Sequence, residues 1–130
     1  MELFGSYTSP FVRHCRIALL ETKTKFSFTE TDFETSAKLS PAKKVPFLHH
    51  NDLRLHDSTS ILKYVRDKAD ERFIADVKDF DQYCLVNTAM DSAINVFLLE
   101  REGVTADSVK YVKRQQQRIE AAVKPGQDYE

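Results

Sequence analysis

Lys44-Val45-Pro46-Phe47-Leu48-His49-His50-Asn51-Asp52-Leu53-Arg54-Leu55-His56-Asp57-Ser58 is the stretch on which the architecture of this chain turns. Val45 to Leu48 and Leu53 to His56 read as two short strands. Asn51-Asp52 between them suits a tight hairpin turn, because both residues tolerate positive φ. Asp57 is placed to cap a helix whose apolar face is Ile61, Leu62, Tyr64 and Val65. The segment is therefore β-β-α, with antiparallel strands.

Upstream, Glu2 to Gly5 is a short strand. Pro10 opens a helix, as proline can at the first helical position. That helix runs to about Thr22, with Phe11, Val12, Cys15, Ala18 and Leu19 at helical spacing. Phe26-Ser27-Phe28-Thr29 alternates and reads as a second strand. It must run parallel to the first, since a helix joins them. Residues 34–44 are polar, contain Pro41, and read as a loop with a helical turn.

Downstream the character changes, and no strand signal follows Phe73. Ile74, Val77, Phe80, Cys84, Val86, Met90, Ala93, Val96 and Phe97 recur at helical spacing and predict a helix over about 73–101. Gly103 stops it. Thr105 or Asp107 can cap a second helix over about 106–123, striped by Val109, Val112, Gln116, Ile119 and Val123. Lys124-Pro125-Gly126 ends that helix, and a polar tail, Gln127-Asp128-Tyr129-Glu130, follows. The expected domains are 1–70, α/β, and 71–130, all-helical.

Composition narrows the function. Lys and Arg (19) nearly cancel Asp and Glu (20), which gives no electrostatic pull towards nucleic acid or anionic membrane. No apolar run approaches the roughly 20 residues of a membrane helix. The N-terminus lacks the basic start and apolar stretch of a signal peptide, so a cytoplasmic location is expected. Cys15 and Cys84 form no Cys-x-x-Cys pair and are expected as free thiols. The histidines, His14, His49, His50 and His56, have no metal-ligand spacing, and no metal site is expected.

Three features can carry chemistry. Ser6-Tyr7-Thr8-Ser9-Pro10 sets hydroxyls at a strand-to-helix turn, where a helix N-terminus stabilises an anion such as a thiolate; Ser9 is equally a plain helix cap. Val45-Pro46 opens a strand. A cis bond there would present the Val45 N–H and C=O to a peptide-like ligand, whereas a trans bond is the commoner state. Asp57-Ser58 opens the next helix and could hold an amino-acid zwitterion, with Ser58 and the helix start taking the carboxylate and Asp57 the ammonium; it too is equally a cap.

In order and spacing these segments resemble the glutathione transferase family. Ser9-Pro10-Phe11-Val12-Arg13 is similar to its active-site segment, Lys44-Val45-Pro46-Phe47-Leu48 to its cis-proline strand, and Leu55-His56-Asp57-Ser58 with the helix to Val65 to its glutathione-anchoring region. The opening Gly5-Ser6-Tyr7-Thr8-Ser9-Pro10-Phe11 also resembles a bacterial subgroup of small serine-type transferase-like proteins. The resemblance implies a thioredoxin-like β-α-β-α-β-β-α domain followed by a shortened helical unit. It implies Ser9 as the hydroxyl that bonds the glutathione sulfur, with Tyr7 and Thr8 as rivals. Val45, beside Pro46, would pair with the cysteinyl part; Asp57 and Ser58 would hold the γ-glutamyl end; Lys44 would meet the glycyl carboxylate. Thiol-type relatives carry cysteine where Ser9 stands, which argues against disulfide exchange. Cys15 reads as core.

The implied chemistry is thiolate stabilisation. Lowering a thiol pKa from about 8.5 by about two units takes roughly 2.7 kcal/mol. One hydroxyl bond to a charged group, about 1.5–3 kcal/mol, with a helix terminus at about 0.3–1 kcal/mol, suffices. The co-substrate is glutathione, no cofactor is permanently bound, and the partner molecule is a small electrophile or peroxide. Family members carry a longer helical domain, so apolar surface is expected on the long helix from Phe80 to Phe97, covered by a homodimer or left by truncation. Two functions follow: a detoxifying transferase with possible peroxidase activity, or a non-catalytic glutathione-binding or interaction module. A glutaredoxin-like reductase is a distant third.

Overall fold

The computed structural model describes residues 1–105, 107 and 109–123. The chain divides into two units, the first Met1–Phe73 and the second from Ile74 on. The first holds β1 (Glu2–Gly5), α1 (Pro10–Glu21), β2 (Ser27–Glu30), α2 (Phe33–Leu39), β3 (Phe47–His50), β4 (Leu53–Leu55) and α3 (Ser58–Lys68). The sheet order is β2-β1-β3-β4. β1 and β2 are parallel, as the helix between them requires, and β1–β3 and β3–β4 are antiparallel.

The register sorts the side chains by face. Leu3 and Leu48 point to the face where α1 and α3 pack side by side. They are fully buried with Val12, Cys15, Ala18 and Leu19 of α1 and Ile61, Leu62 and Val65 of α3. The opposite face carries Glu2, Phe4, Phe47 and His49. Phe4 stacks on Phe47 at 4.6 Å, His49 lies 4.8 Å from Phe4, and the Thr29 hydroxyl donates to Glu2 at 2.7 Å.

Most departures from the sequence expectations are local. β3 begins at Phe47, two residues later than expected, because Pro46 has no N–H to give the ladder. β2 and β4 shift or shorten by one residue. In the hairpin turn only Asn51 takes positive φ, at 56°. The expected loop at 34–44 contains a seven-residue helix, α2, whose cap is Asp32, 2.7 Å from the Thr35 N–H. That bond holds the Asp32 carboxyl below its usual range.

The second unit contains α4 (Val77–Arg101) and α5 (Lys110–Val123), which pack on each other. Residues 73–76 are not helical, and Asp76 is the cap, accepting from the Lys78 and Asp79 N–H groups. Gly103, at φ 83°, ends α4: its N–H bonds the Glu100 carbonyl and the Val104 N–H bonds that of Leu99. α5 starts past both Thr105 and Asp107, with the Val109 N–H on the Thr105 carbonyl. The long helix carries exposed apolar surface, as expected. Its one buried residue is Ser92, while Val77, Val86, Phe97 and Leu98 are exposed. On α5, Val112 and Gln115 are buried and Val123 is exposed; Val109, also exposed, precedes the helix. The predicted stop at 124–126 and the tail lie outside the described residues. None of the described helices is long and apolar enough to cross a membrane.

Three histidines tie stability to pH. Burial, helped by nearby cations, lowers the pKa of His14 (Arg66), His49 (Arg54) and His50 (Lys68). Nε2 of His49 is buried without a partner among the described residues. The unfolded chain binds their protons more readily, so stability is complete above their ordinary pKa of 6.5 and falls as pH drops below it. Thermal melts from about pH 7.5 to about pH 5.5 should show a falling midpoint, partly flattened in His49→Leu; a midpoint that is level or rises on acidification contradicts this.

Candidate functional site

α1 begins where β1 ends, and Ser9 caps it. The Val12 N–H donates to Ser9 Oγ at 3.3 Å, and the Arg13 N–H to the Ser9 carbonyl at 3.0 Å. A hydroxyl accepts and donates at once, so capping leaves the Ser9 proton available to a further acceptor. The two readings of Ser9 are thus compatible. The other hydroxyls of the turn are differently engaged. Thr8 is exposed and 3.4 Å from Ser6 Oγ. The Tyr7 ring packs on Phe28 at 4.9 Å.

Register brings the second and third segments to the same end of the sheet. Phe4 pairs with Phe47, and Leu48 pairs with Leu55. Continued one step, these ladders set Pro46 beside Gly5 and His56 beside Phe47. The C-terminal end of β1, the N-terminal end of β3 and the C-terminal end of β4 therefore coincide. Ser6 to Ser9, Val45-Pro46 and Asp57-Ser58 all emerge there. The Val45–Pro46 bond is cis. Pro46 is buried, Val45 half-buried and Lys44 exposed. Among the described residues, neither the N–H nor the C=O of Val45 is paired with backbone.

Asp57 caps α3 through Oδ1, which accepts from the Thr59 N–H at 2.8 Å. Its carbonyl accepts from the Ser60 hydroxyl at 2.9 Å and the Ile61 N–H at 3.0 Å. The Asp57 side chain is exposed, and Ser58 is buried at the first position of α3. The site end thus holds two helix N-termini, a carboxylate and open strand backbone. That set suits a ligand with an anionic sulfur, a peptide link and an amino-acid head group.

Sequence reasoning missed what holds the Lys44 loop. Ser40, buried, lies 3.0 Å from Nδ1 of His56 and accepts from the Ala42 N–H at 3.3 Å. The link spans 16 positions, and nothing in local spacing marks it. The steric role of Gly5 has no local sequence signal either. A Cβ there would sit 2.5 Å and 2.6 Å from the two methyls of Val12, so the close approach of β1 to α1 needs glycine.

Cys15 is no nucleophile. It is fully buried, and burial, reinforced by the Asp57 charge, pushes its thiol up to about 12. Its Sγ–H lies 3.8 Å from the Ser58 carbonyl. Cys84 is exposed. A disulfide reagent should therefore titrate Cys84 in the native protein and Cys15 only on unfolding. Two equally fast thiols would contradict the burial. Among the described residues no group of three His, Cys, Asp or Glu could hold a metal ion.

A family model for the glutathione S-transferase N-terminal domain matches residues 3–73. Glutathione S-transferase U17 of Arabidopsis thaliana is 33% identical over 72 residues, which cover 52% of this chain and 32% of that protein. Two solved structures share the fold. One is a glutathione S-transferase from Methylobacterium radiotolerans in complex with glutathione sulfonate, at TM-score 0.80, 22% identity, 94% of this chain and 63% of that one. The other, from Methylobacillus flagellatus with glutathione bound, gives TM-score 0.82 and 22% identity over 95% of this chain and 66% of that one. The chain spans about a third of the plant relative and under two thirds of both solved proteins. With the family model matched across its α/β unit and the fold shared with these proteins, this chain belongs to the glutathione S-transferase family.

Proposed function

We propose that the chain binds glutathione at the shared end of β1, β3 and β4 and holds its sulfur as a thiolate on Ser9. The observation that carries this is the convergence itself: a free donor at the α1 cap, open Val45 backbone, and Asp57-Ser58 at the α3 start. Val45 pairs with the cysteinyl unit, Asp57 takes the γ-glutamyl ammonium, Ser58 and the α3 N-terminus take its carboxylate, and Lys44 meets the glycyl carboxylate. The thiol proton leaves to solvent. The sulfur lone pair then forms the bond to an electrophilic carbon, and the leaving group departs with the electrons of its own bond. With a peroxide the sulfur would form its bond to one oxygen, the O–O bond would break, and the other oxygen would leave with that bond's electrons and take a proton from solvent to give an alcohol.

Of the two solved proteins of this fold, one holds glutathione and the other glutathione sulfonate, which supports the ligand, and the absence of a reactive thiol at the α1 start supports conjugation over disulfide exchange. Cytoplasmic location and a homodimer complete the proposal. A second reading, glutathione binding without turnover, is favoured by one observation: Val77, Val86, Phe97 and Leu98 of α4 lie exposed, in the unit from which an electrophile pocket is expected. Calorimetry and a conjugation assay separate the cases. Heat with millimolar glutathione, none with cysteinylglycine, and turnover of a small aromatic electrophile support the enzyme. Heat without turnover supports the second reading. No heat at all overturns both.

A further inference from the structure

The turn before α1 offers four hydroxyls, on Ser6, Tyr7, Thr8 and Ser9, and a cluster on its β2 side bears on which one is used. Tyr7 is 52% exposed, yet its ring is held on two sides. Phe28 of β2 lies 4.9 Å from it, and the Arg16 guanidinium of α1 sits 4.7 Å from the Tyr7 ring and 5.0 Å from the Phe28 ring. Turn, helix and strand are thus joined through one cation shared by two rings. β2 is the outer strand on the side of β1 away from β3. Phe28 pairs with Leu3, on the face that carries α1. The cluster draws the Tyr7 ring towards β2, whereas Val45-Pro46 and Asp57-Ser58 flank β1 on its other side.

We infer that Arg16 and Phe28 are positioning residues that hold Tyr7 away from the sulfur and fix the turn so that Ser9 is the hydroxyl presented to it. This rests on the glutathione reading above. It goes further in assigning a role to two residues with no place in the ligand contacts. Arg16 acts on the geometry of the turn, not through its charge, so loss of the neutral Phe28 ring has the same consequence as loss of the guanidinium.

The test titrates the thiolate of bound glutathione by its ultraviolet absorbance in wild type, Tyr7→Phe, Ser9→Ala, Arg16→Met and Phe28→Leu. Tyr7→Phe keeps the ring and titrates as wild type. Arg16→Met and Phe28→Leu each raise the bound-thiol pKa by about half to one unit, roughly a three- to tenfold loss of thiolate, the scale of one cation–π contact. Wild-type titration in either of these two variants, or a Tyr7→Phe shift as large as that of Ser9→Ala, overturns the inference. Failure of the underlying reading looks different: no thiolate forms in the wild type, or Ser9→Ala leaves the titration unmoved. The ligand-free protein gives a second readout. The Tyr7 ring proton resonances, assigned by their loss in Tyr7→Phe, move in Arg16→Met; resonances that stay in place overturn the clamp whatever the ligand does.

Discussion

On the proposed glutathione reading, Ser9→Ala should lower conjugation by about 10- to 150-fold, the range expected when one hydrogen bond to a charged partner is lost. The same change removes the α1 cap, whose bond to the Val12 N–H is 3.3 Å long. That costs stability about 0.5–2 kcal/mol. Activity and stability therefore fall together in this variant, and a second substitution parts them. Ser9→Asp still accepts from the Val12 N–H and keeps the cap, but it offers the sulfur a negative charge in place of a donor. It is expected to melt near wild type and turn over no faster than Ser9→Ala. Steady-state kinetics with saturating electrophile, read beside thermal melts, check both. A Ser9→Asp variant with wild-type turnover would remove Ser9 from the chemistry and leave it a cap alone.

Gly5→Ala carries the largest expected effect on stability for a change of one methyl. The added carbon would fall 2.5 Å from one methyl of Val12 and 2.6 Å from the other. Val12 is fully buried and cannot swing out. β1 and the first turn of α1 must therefore separate, at about 1–3 kcal/mol by the measure of other overpacked cores. The movement also displaces the turn that holds Ser9, so glutathione affinity should weaken with stability. Val12→Ala in the Gly5→Ala background removes both clashing methyls. Denaturant unfolding should then show the double variant costing less than the sum of the two single changes. Additive losses would mean that the clash relaxes elsewhere.

Much of this was legible from local spacing. Ser9 before Pro10, Asp57 before Ser58 and Gly103 after the long helix were read as caps and a stop, and each is seen. These bonds join residues two to five positions apart, so sequence distance and spatial distance nearly agree. The parallel β1–β2 pair and the β3–β4 hairpin were equally plain, since connection length dictates strand direction. Asp32 shows the limit of this reasoning. It caps α2 in the same way as Ser9 caps α1, but the polar run after it carries too little periodicity to mark a helix. α4 is a helix, as the helical spacing of its apolar residues indicates, and Val77, Val86 and Phe97 lie exposed, in line with the apolar surface expected there, while Ser92 is buried. Periodicity reports a helix, not what covers it.

The order of strands and helices, their caps and the hydroxyl-bearing turn belong to the sequence alone, because each depends on neighbours a few residues away. The tertiary structure decided that β1 lies between β2 and β3, that the segments at 6–9, 45–46 and 57–58 share one end of the sheet, and that Tyr7 packs on Phe28 under Arg16. Those facts depend on which strands pair and in what register. Long-range pairing follows from burying Leu3, Leu48 and their partners together, and no short stretch of sequence encodes it.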